Sequence, residues 1–217
     1  GVFCMKELFP VGCVIMASGL SRRFGSNKLL ANFCGEPVLC RAFSATDTPQ
    51  LAARIVVTRS AEVQSLCRQH EVPVLLHSLP GRNDTVRLGL SHLLEQRPDL
   101  AGCMFLPGDQ PLLTRSSVEA VIAAFRADGS KEAERKIFRL GARIEENGAS
   151  LAGSPVLFGN SFFPELLALP EGKGGSVLLR KYPEAVRTVS AADRAELLDA
   201  DTPETLEQLK TLAFQKR

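Results

Sequence analysis

A chain of 217 residues, 45% apolar and 23% charged, holds enough material for one sizeable core and too little for two, so a single domain over residues 1–217 is expected. Its 26 basic and 24 acidic side chains are dispersed and leave a formal charge of +2; with no Lys/Arg stripe to follow a phosphate backbone, nucleic acid is excluded as a partner. No apolar run approaches the roughly 18 residues of a membrane span, so no membrane partner is expected.

The six cysteines, Cys4, Cys13, Cys34, Cys40, Cys67 and Cys103, include no C-x2-C pair, and Cys13 and Cys103 fall inside apolar runs; they read as reduced thiols of a cytoplasmic protein. Gly1 in place of Met reads as a processed start or an expression scar, and Val11 to Ala17 is too short and too poorly flanked for a signal peptide.

In chain order, Val11 to Ala17 reads as a strand, followed by a glycine-bearing loop and a helix over Pro37 to Ala45. Arg54 to Thr58 and Val72 to Leu76 read as strands around a helix at Ala61 to His70. A further helix over Asp84 to Glu95 leads to a strand at Cys103 to Leu106. Val118, Val121, Ile122 and Phe125 then mark one buried helical face behind a capping region at Thr114 to Ser117. The charged Asp128 to Lys136 stretch reads as a loop. Ile137 to Ile144 and Ser154 to Phe158 read as strands joined by a turn at Glu146-Asn-Gly148. Thr202-Pro203 opens a last helix carrying Leu206, Leu209 and Leu212. Strands alternating with amphipathic helices predict a Rossmann-like α/β protein, three layers in α/β/α order around a mostly parallel sheet.

The loop from Ser18 to Lys28 carries the chemistry. Gly19 and Gly25 let backbone N–H groups approach phosphate oxygens, and Arg23 and Lys28 supply cations to neutralise them. The spacing fits neither a Walker A loop nor a dinucleotide fingerprint. In open α/β sheets ligands sit beyond the carboxyl ends of strands, where both this loop and Asp109 emerge. There Asp109 supplies the hard oxygen that Mg²⁺ takes beside a triphosphate. The plainer readings are surface cations for Arg23 and Lys28, as for Arg22, and a turn-forming aspartate before Gln110-Pro111. His70, His77 and His92 lie outside these segments, and none is paired with a plausible nucleophile.

The pattern Gly19-x-Ser21-x-Arg23-x-Gly25-x2-Lys28 resembles the signature loop of nucleotidyltransferases, and in particular their molybdenum cofactor cytidylyltransferase branch. Leu106-Pro-Gly-Asp-Gln-Pro-Leu-Leu113, Gly153-Ser-Pro-Val-Leu-Phe158, Gly172-Lys-Gly-Gly175 and Leu198-Asp-Ala-Asp-Thr-Pro-Glu204 follow in that family's order, from about residue 11 to 210. The resemblance implies transfer of CMP from CTP to the terminal phosphate of a molybdopterin acceptor, with Mg²⁺ as cofactor and possible hand-over to a recipient molybdoenzyme. It implies Arg23 on the β and γ phosphates, Lys28 on the α phosphate, and Asp109 on the metal. Nucleotide contacts are implied for Ala17, Ser18, Gly19, Leu20, Ser21, Gly25, Asn83, Thr85, Pro107 and Gly108, and acceptor contacts for Ser154, Pro155 and Lys173. Asn83 or Asp84 equally reads as a helix N-cap. Asp201 reads either as a second Mg²⁺ ligand or as the cap of the last helix, with Glu204 completing a capping box. Two departures stand out: Ser18 occupies a position usually Ala or Gly, beside the base, and Ser154 one commonly His. GTP, another phosphate acceptor, or a non-catalytic nucleotide- or pterin-binding accessory role are the alternatives.

Overall fold

The computed structural model describes residues 8–19, 25–128, 131–143 and 148–216. In chain order its strands and helices are β1 (Val11–Ala17), β2 (Asn32–Phe33), β3 (Glu36–Pro37), α1 (Val38–Thr46), β4 (Ala53–Thr58), α2 (Ala61–Gln69), β5 (Val74–Leu76), α3 (Arg82–Gln96), β6 (Gly102–Pro107) and α4 (Arg115–Ala127). The second half adds β7 (Ile137–Arg143), β8 (Ser150–Gly159), α5 (Phe163–Leu167), α6 (Ser176–Lys181), β9 (Val186–Ser190) and α7 (Pro203–Gln215).

Seven strands form one sheet in the order β5-β4-β1-β6-β8-β7-β9, and only β8 runs against the rest. This is a mostly parallel, Rossmann-like sheet with helices on both faces. Strand periodicity builds the two layers. On β1, Val11, Cys13 and Ile15 point into the core under α1, α2, α4 and α7, while Val14 joins Ile55, Val57 and Phe105 under α3, α5 and α6. A strand buried on both faces reads as a continuous apolar run, which is why Val11 to Ala17 is recognisable as sequence.

The strand and helix expectations for the first half hold to within two residues. Thr114 caps α4 by accepting from the Ser117 N–H at 3.2 Å, and buried Glu196 braces that cap by accepting from the Thr114 N–H and both hydroxyls. The start of α3 departs from expectation. Its N-cap is Gly81, neither Asn83 nor Asp84, and Asp84 reaches back from the first turn to accept the Gly81 N–H at 3.0 Å. The Asp128 to Lys136 stretch contains a short 3-10 turn at Ala133–Arg135 and an ion pair between Lys136 and Asp128. The expected turn at Glu146-Asn-Gly148 falls mostly outside the described residues. Cys13, Cys34, Cys40, Cys67 and Cys103 are free thiols, and burial pushes the Cys13 thiol up to about 12. Among the described residues no helix is long and apolar enough to cross a membrane.

Helix α3 lies close on the sheet because it crosses β1 and β4 at Gly89. A Cβ there would meet Val14 Cγ1 at 2.6 Å and Val57 Cγ2 at 3.1 Å, both on rigid branched side chains. Gly89→Ala should therefore lower unfolding free energy by about 1–3 kcal/mol, the range for overpacking a tight core, in urea denaturation followed by circular dichroism. An unchanged midpoint and slope would contradict the close packing of α3.

Candidate active site

At the carboxyl edge of the sheet a cavity of about 760 Å³ opens between the end of β1, the end of β6, the start of α3 and strand β8. Lys28 begins a 3-10 turn, Lys28–Leu30, held by Asn27, whose side chain accepts the Leu29 N–H. Its ammonium donates to Asp109 Oδ2 at 2.5 Å and to Asp201 Oδ1 at 3.0 Å. Burial pulls the Lys28 pKa down, but the Asp109 charge and the hydrogen bonds to Asp109 and Asp201 outweigh it, and the net displacement is upward. The two aspartates meet because the Ala200 N–H donates to the Asp109 carbonyl at 2.8 Å. Gln110, itself buried, fixes the loop after β6 by donating to the carbonyls of Ser154 and Glu196.

The two readings of Asp201 separate here. Thr202 is the N-cap of α7, accepting the Thr205 N–H at 3.1 Å, so Asp201 does not cap the helix and its carboxylate turns to Lys28. Asp199, two residues earlier on the same extended segment, also lines the cavity. Although much of its surface meets solvent, its carboxyl sits in the concavity among protein atoms. Burial first, then the charges of Asp109 and Asp201, push its pKa up to about 7, with Lys28 opposing them.

Among the described residues no group of three or more His, Cys, Asp or Glu side chains is arranged to hold a metal ion. Mg²⁺ does not require one, because one or two carboxylates suffice when phosphate oxygens and water complete the octahedron. Asp109 and Asp201, hard oxygen donors converging on one cation, fit that demand.

Of the residues expected around the nucleotide, Ala17, Ser18, Gly19, Lys28, Thr85, Pro107 and Gly108 line the cavity, and so does Ser154. Gly25 takes φ +82°, a backbone conformation that favours glycine, although it does not line the cavity. Leu20, Ser21 and Arg23 lie outside the described residues. Asn83 does not line the cavity; its Oδ1 accepts the Gly172 N–H at 2.9 Å and ties the Gly172–Gly175 turn to α3. Lys173 is exposed and outside the lining, and Pro155 is buried behind it, following Ser154 across a cis peptide bond. Lining residues that sequence reasoning passes over are Arg59, Arg82, Arg139 and Asp199. For Asp199 a signal existed: Asp-x-Asp in an extended segment places both carboxylates on one side, with Ala200 pointing into the core. Arg139 donates to the Gly153 carbonyl, and burial lowers its pKa.

One histidine does meet a hydroxyl, contrary to expectation. His77 Nε2 lies 2.8 Å from Ser18 Oγ, which donates to the Val57 carbonyl at 3.2 Å. His77 Nδ1 accepts the Leu79 N–H at 3.1 Å, so in the neutral ring the proton resides on Nε2, facing the serine. That tautomer cannot take a proton from Ser18, and the pair is a brace between the β1 loop and the segment after β5. Burial, then the Arg59 charge, lowers the His77 pKa below 6.5, with Asp84 opposing and Arg87 adding to the fall. Because the fold favours the neutral ring, this contribution to stability is full above the ordinary histidine value and is lost as pH falls through the lowered one. In ¹⁵N-¹H correlation spectra His77 should be the Nε2–H tautomer with a midpoint below 6.5. Arg59→Gln should raise that midpoint, and a midpoint that stays put would remove Arg59 from the account.

A model of the MobA-like NTP transferase domain matches residues 13–189, so the chain belongs to this nucleotidyltransferase family. It is 27% identical over 119 residues to a 3-deoxy-manno-octulosonate cytidylyltransferase of Chlorobaculum tepidum, covering 54% of this chain and 46% of the relative. It is 25% identical to a probable molybdenum cofactor guanylyltransferase of Pyrococcus horikoshii, covering 51% and 54%. The chain thus spans about half the length of these curated relatives. The purine catabolism protein PucB of Bacillus subtilis is 25% identical over 95% of this chain and 98% of its own. Among solved structures, a CMP:2-keto-3-deoxy-manno-octonic acid synthetase complexed with CTP superposes with TM-score 0.76 at 16% identity, covering 96% of this chain and all (100%) of that one. Rv0371c of Mycobacterium tuberculosis in complex with manganese gives 0.68 at 18% identity, covering 93% and 98%. At these identities the structures establish the shared fold.

Proposed function

We propose that the protein transfers CMP from CTP to the terminal phosphate of a molybdopterin acceptor and releases pyrophosphate. The observation that carries the transfer reading is the Lys28 ammonium between Asp109 and Asp201, at the carboxyl edge beside a glycine-bearing loop. The choice of CTP and molybdopterin is supported by the ordered motifs of the cytidylyltransferase branch. GTP remains the alternative donor, a recipient molybdoenzyme is the expected consumer of the product, and the cytoplasm is the expected compartment.

An acceptor phosphate monoester has a second pKa of about 6 and is ionised at neutral pH, so no general base is required. His77 is not used as one: it presents a proton to Ser18, whose own hydroxyl is spent on a backbone carbonyl. The acceptor oxygen forms a bond to the α phosphorus in line with the bridging oxygen to the β phosphorus. That P–O bond breaks, and its electron pair leaves on pyrophosphate. Lys28 moves from the aspartates to the α phosphate, where negative charge builds, and Arg23 holds the β and γ phosphates. Asp109 and Asp201 would hold Mg²⁺, which would supply charge neutralisation and orientation to the phosphates.

Pyrophosphate release measured with CTP, GTP, ATP and UTP, each with and without molybdopterin, tests this directly. Release with CTP that depends on molybdopterin is expected; release with GTP alone would move the chain to guanylyl transfer, and none with any pair would refute the reading. Asp109→Asn, which keeps size but removes charge, should cut turnover about a hundredfold while the circular dichroism spectrum stays the same. Lys28→Ala should lower kcat more than it raises the KM for CTP, since its cation acts where charge develops. Asp201→Asn should keep its Tm, because Thr202 is the cap, yet need about tenfold more Mg²⁺ for half-maximal activity. An unchanged Mg²⁺ titration would remove Asp201 from the metal site.

A further inference from the structure

One part of the cavity's rim is held by side chains and not by a backbone ladder. Strand β5 ends at Leu76 and α3 begins at Arg82, and in the connection between them Pro80 and Gly81 line the cavity together with Ser18 and Arg59. Leu79 donates its N–H to His77 Nδ1 at 3.1 Å and Gly81 donates to Asp84 Oδ2 at 3.0 Å, while Pro80 has no N–H to give. His77 is itself anchored to the two neighbouring strand ends. Its backbone N–H donates to the Thr58 carbonyl at 3.0 Å, and its Nε2 lies 2.8 Å from Ser18 Oγ. One imidazole thus ties the rim to the end of β1.

The two ring contacts respond differently to a proton. Neutral His77 accepts at Nδ1 and donates at Nε2, whereas the imidazolium donates at both. Protonation therefore keeps the Ser18 contact, since Nε2–H still faces the hydroxyl, and abolishes the Leu79 contact, where two N–H groups would meet. Burial first, then Arg59 beyond β4, hold the ring's pKa below its ordinary value; Asp84 on α3 opposes them, and Arg87, paired with Asp84 at 2.9 Å, adds to them. The hydrogen bond from Arg87, then that from the Gly81 N–H, hold the Asp84 carboxyl below the usual carboxylate range. As pH falls, the Gly81 anchor therefore outlasts the Leu79 anchor.

We infer that His77 is a positioning residue for the nucleotide: with Nδ1 unprotonated it holds the Leu79–Gly81 rim in the form that binds, and a proton on Nδ1 releases that rim. The inference rests on the transfer reading above, which places a nucleoside triphosphate in this cavity. In the sheet order β5-β4-β1-β6, the strand that delivers Asp109 is three spacings from the one that precedes the rim, about 14 Å at about 4.8 Å each. Acid acting through His77 therefore weakens nucleotide binding and leaves the step at the α phosphate unchanged.

Isothermal titration of the full chain with CTP and Mg²⁺, above the ordinary histidine value and again below the His77 midpoint, tests this on wild type and His77→Asn. Asparagine keeps an acceptor for the N–H two residues on, as in an Asx turn, but takes up no proton. Both proteins share the titration of the nucleotide and of every other side chain, so the difference between them belongs to His77. Between the two pH values wild type should lose about tenfold more CTP affinity than His77→Asn does, the size of one hydrogen-bonded contact. In turnover, kcat at saturating CTP should follow one pH curve in both. The Leu79 amide gives a readout that needs neither variant nor nucleotide: its ¹⁵N–¹H resonance should move with the His77 midpoint in wild type. In His77→Asn it should not move over that range. Equal pH dependence of CTP affinity in the two proteins, or a Leu79 amide that ignores the His77 titration, would overturn the inference and leave the transfer reading intact, since wild type still binds CTP. Failure of wild type to bind CTP at both pH values would instead defeat CTP as the donor and this inference with it.

Discussion

The bond of the Lys28 ammonium to Asp109 and Asp201 joins three loops that are far apart in sequence. The Ala200 to Asp109 hydrogen bond joins the backbones of the two segments that carry these carboxylates. Burial first, and then the charges of Asp109 and Asp201, raise the Asp199 pKa in the same corner. In the proposed reaction a triphosphate would draw Lys28 toward itself, and the two carboxylates would then suit a divalent ion that also meets the phosphates. The residues that order the site here would in that case also stabilise charge during transfer.

Everything else about the fold serves to bring those loops to one edge. Parallel strands β1 and β6 deliver Lys28's loop and Asp109 at adjacent carboxyl ends. Gln110, pinned to Ser154 and Glu196, carries the order on to β8 and to the segment that holds Asp199 and Asp201. Glu196 in turn caps α4 through Thr114, so the helix packed on one face is coupled to the loop that lines the site. On the other face α3 is drawn onto the sheet at Gly89, which brings Gly81, Arg82 and Thr85 into the cavity.

How much of this could be read from sequence depends on whether the cause was local. Strands buried on both faces and helices with one apolar stripe carry their own period, so β1, β4, β6, α2 and α4 are legible within a residue or two. Thr114 is legible as a cap because its hydroxyl acts within three residues, whereas for the last helix Asp201 competes with Thr202 in sequence and only the turn of its carboxylate toward Lys28 decides for Thr202. The phosphate-loop residues and Asp109 stand out by residue type and spacing at strand ends. What stays hidden depends on distant partners. The hydroxyl of Ser18 is taken up by Val57 and His77, 39 and 59 residues away. Asn83 becomes a tether for Gly172 only because α3 and the glycine turn meet in space, 89 residues apart.

The most direct test of the central claim is an anomalous difference map from crystals grown with Mn²⁺ and a non-hydrolysable CTP analogue. The account predicts one Mn²⁺ peak bridging the Asp109 and Asp201 carboxylates and the phosphates, with the Lys28 ammonium moved onto the α phosphate. A nucleotide bound with Lys28 still between the two aspartates, and Mn²⁺ elsewhere or absent, would contradict it.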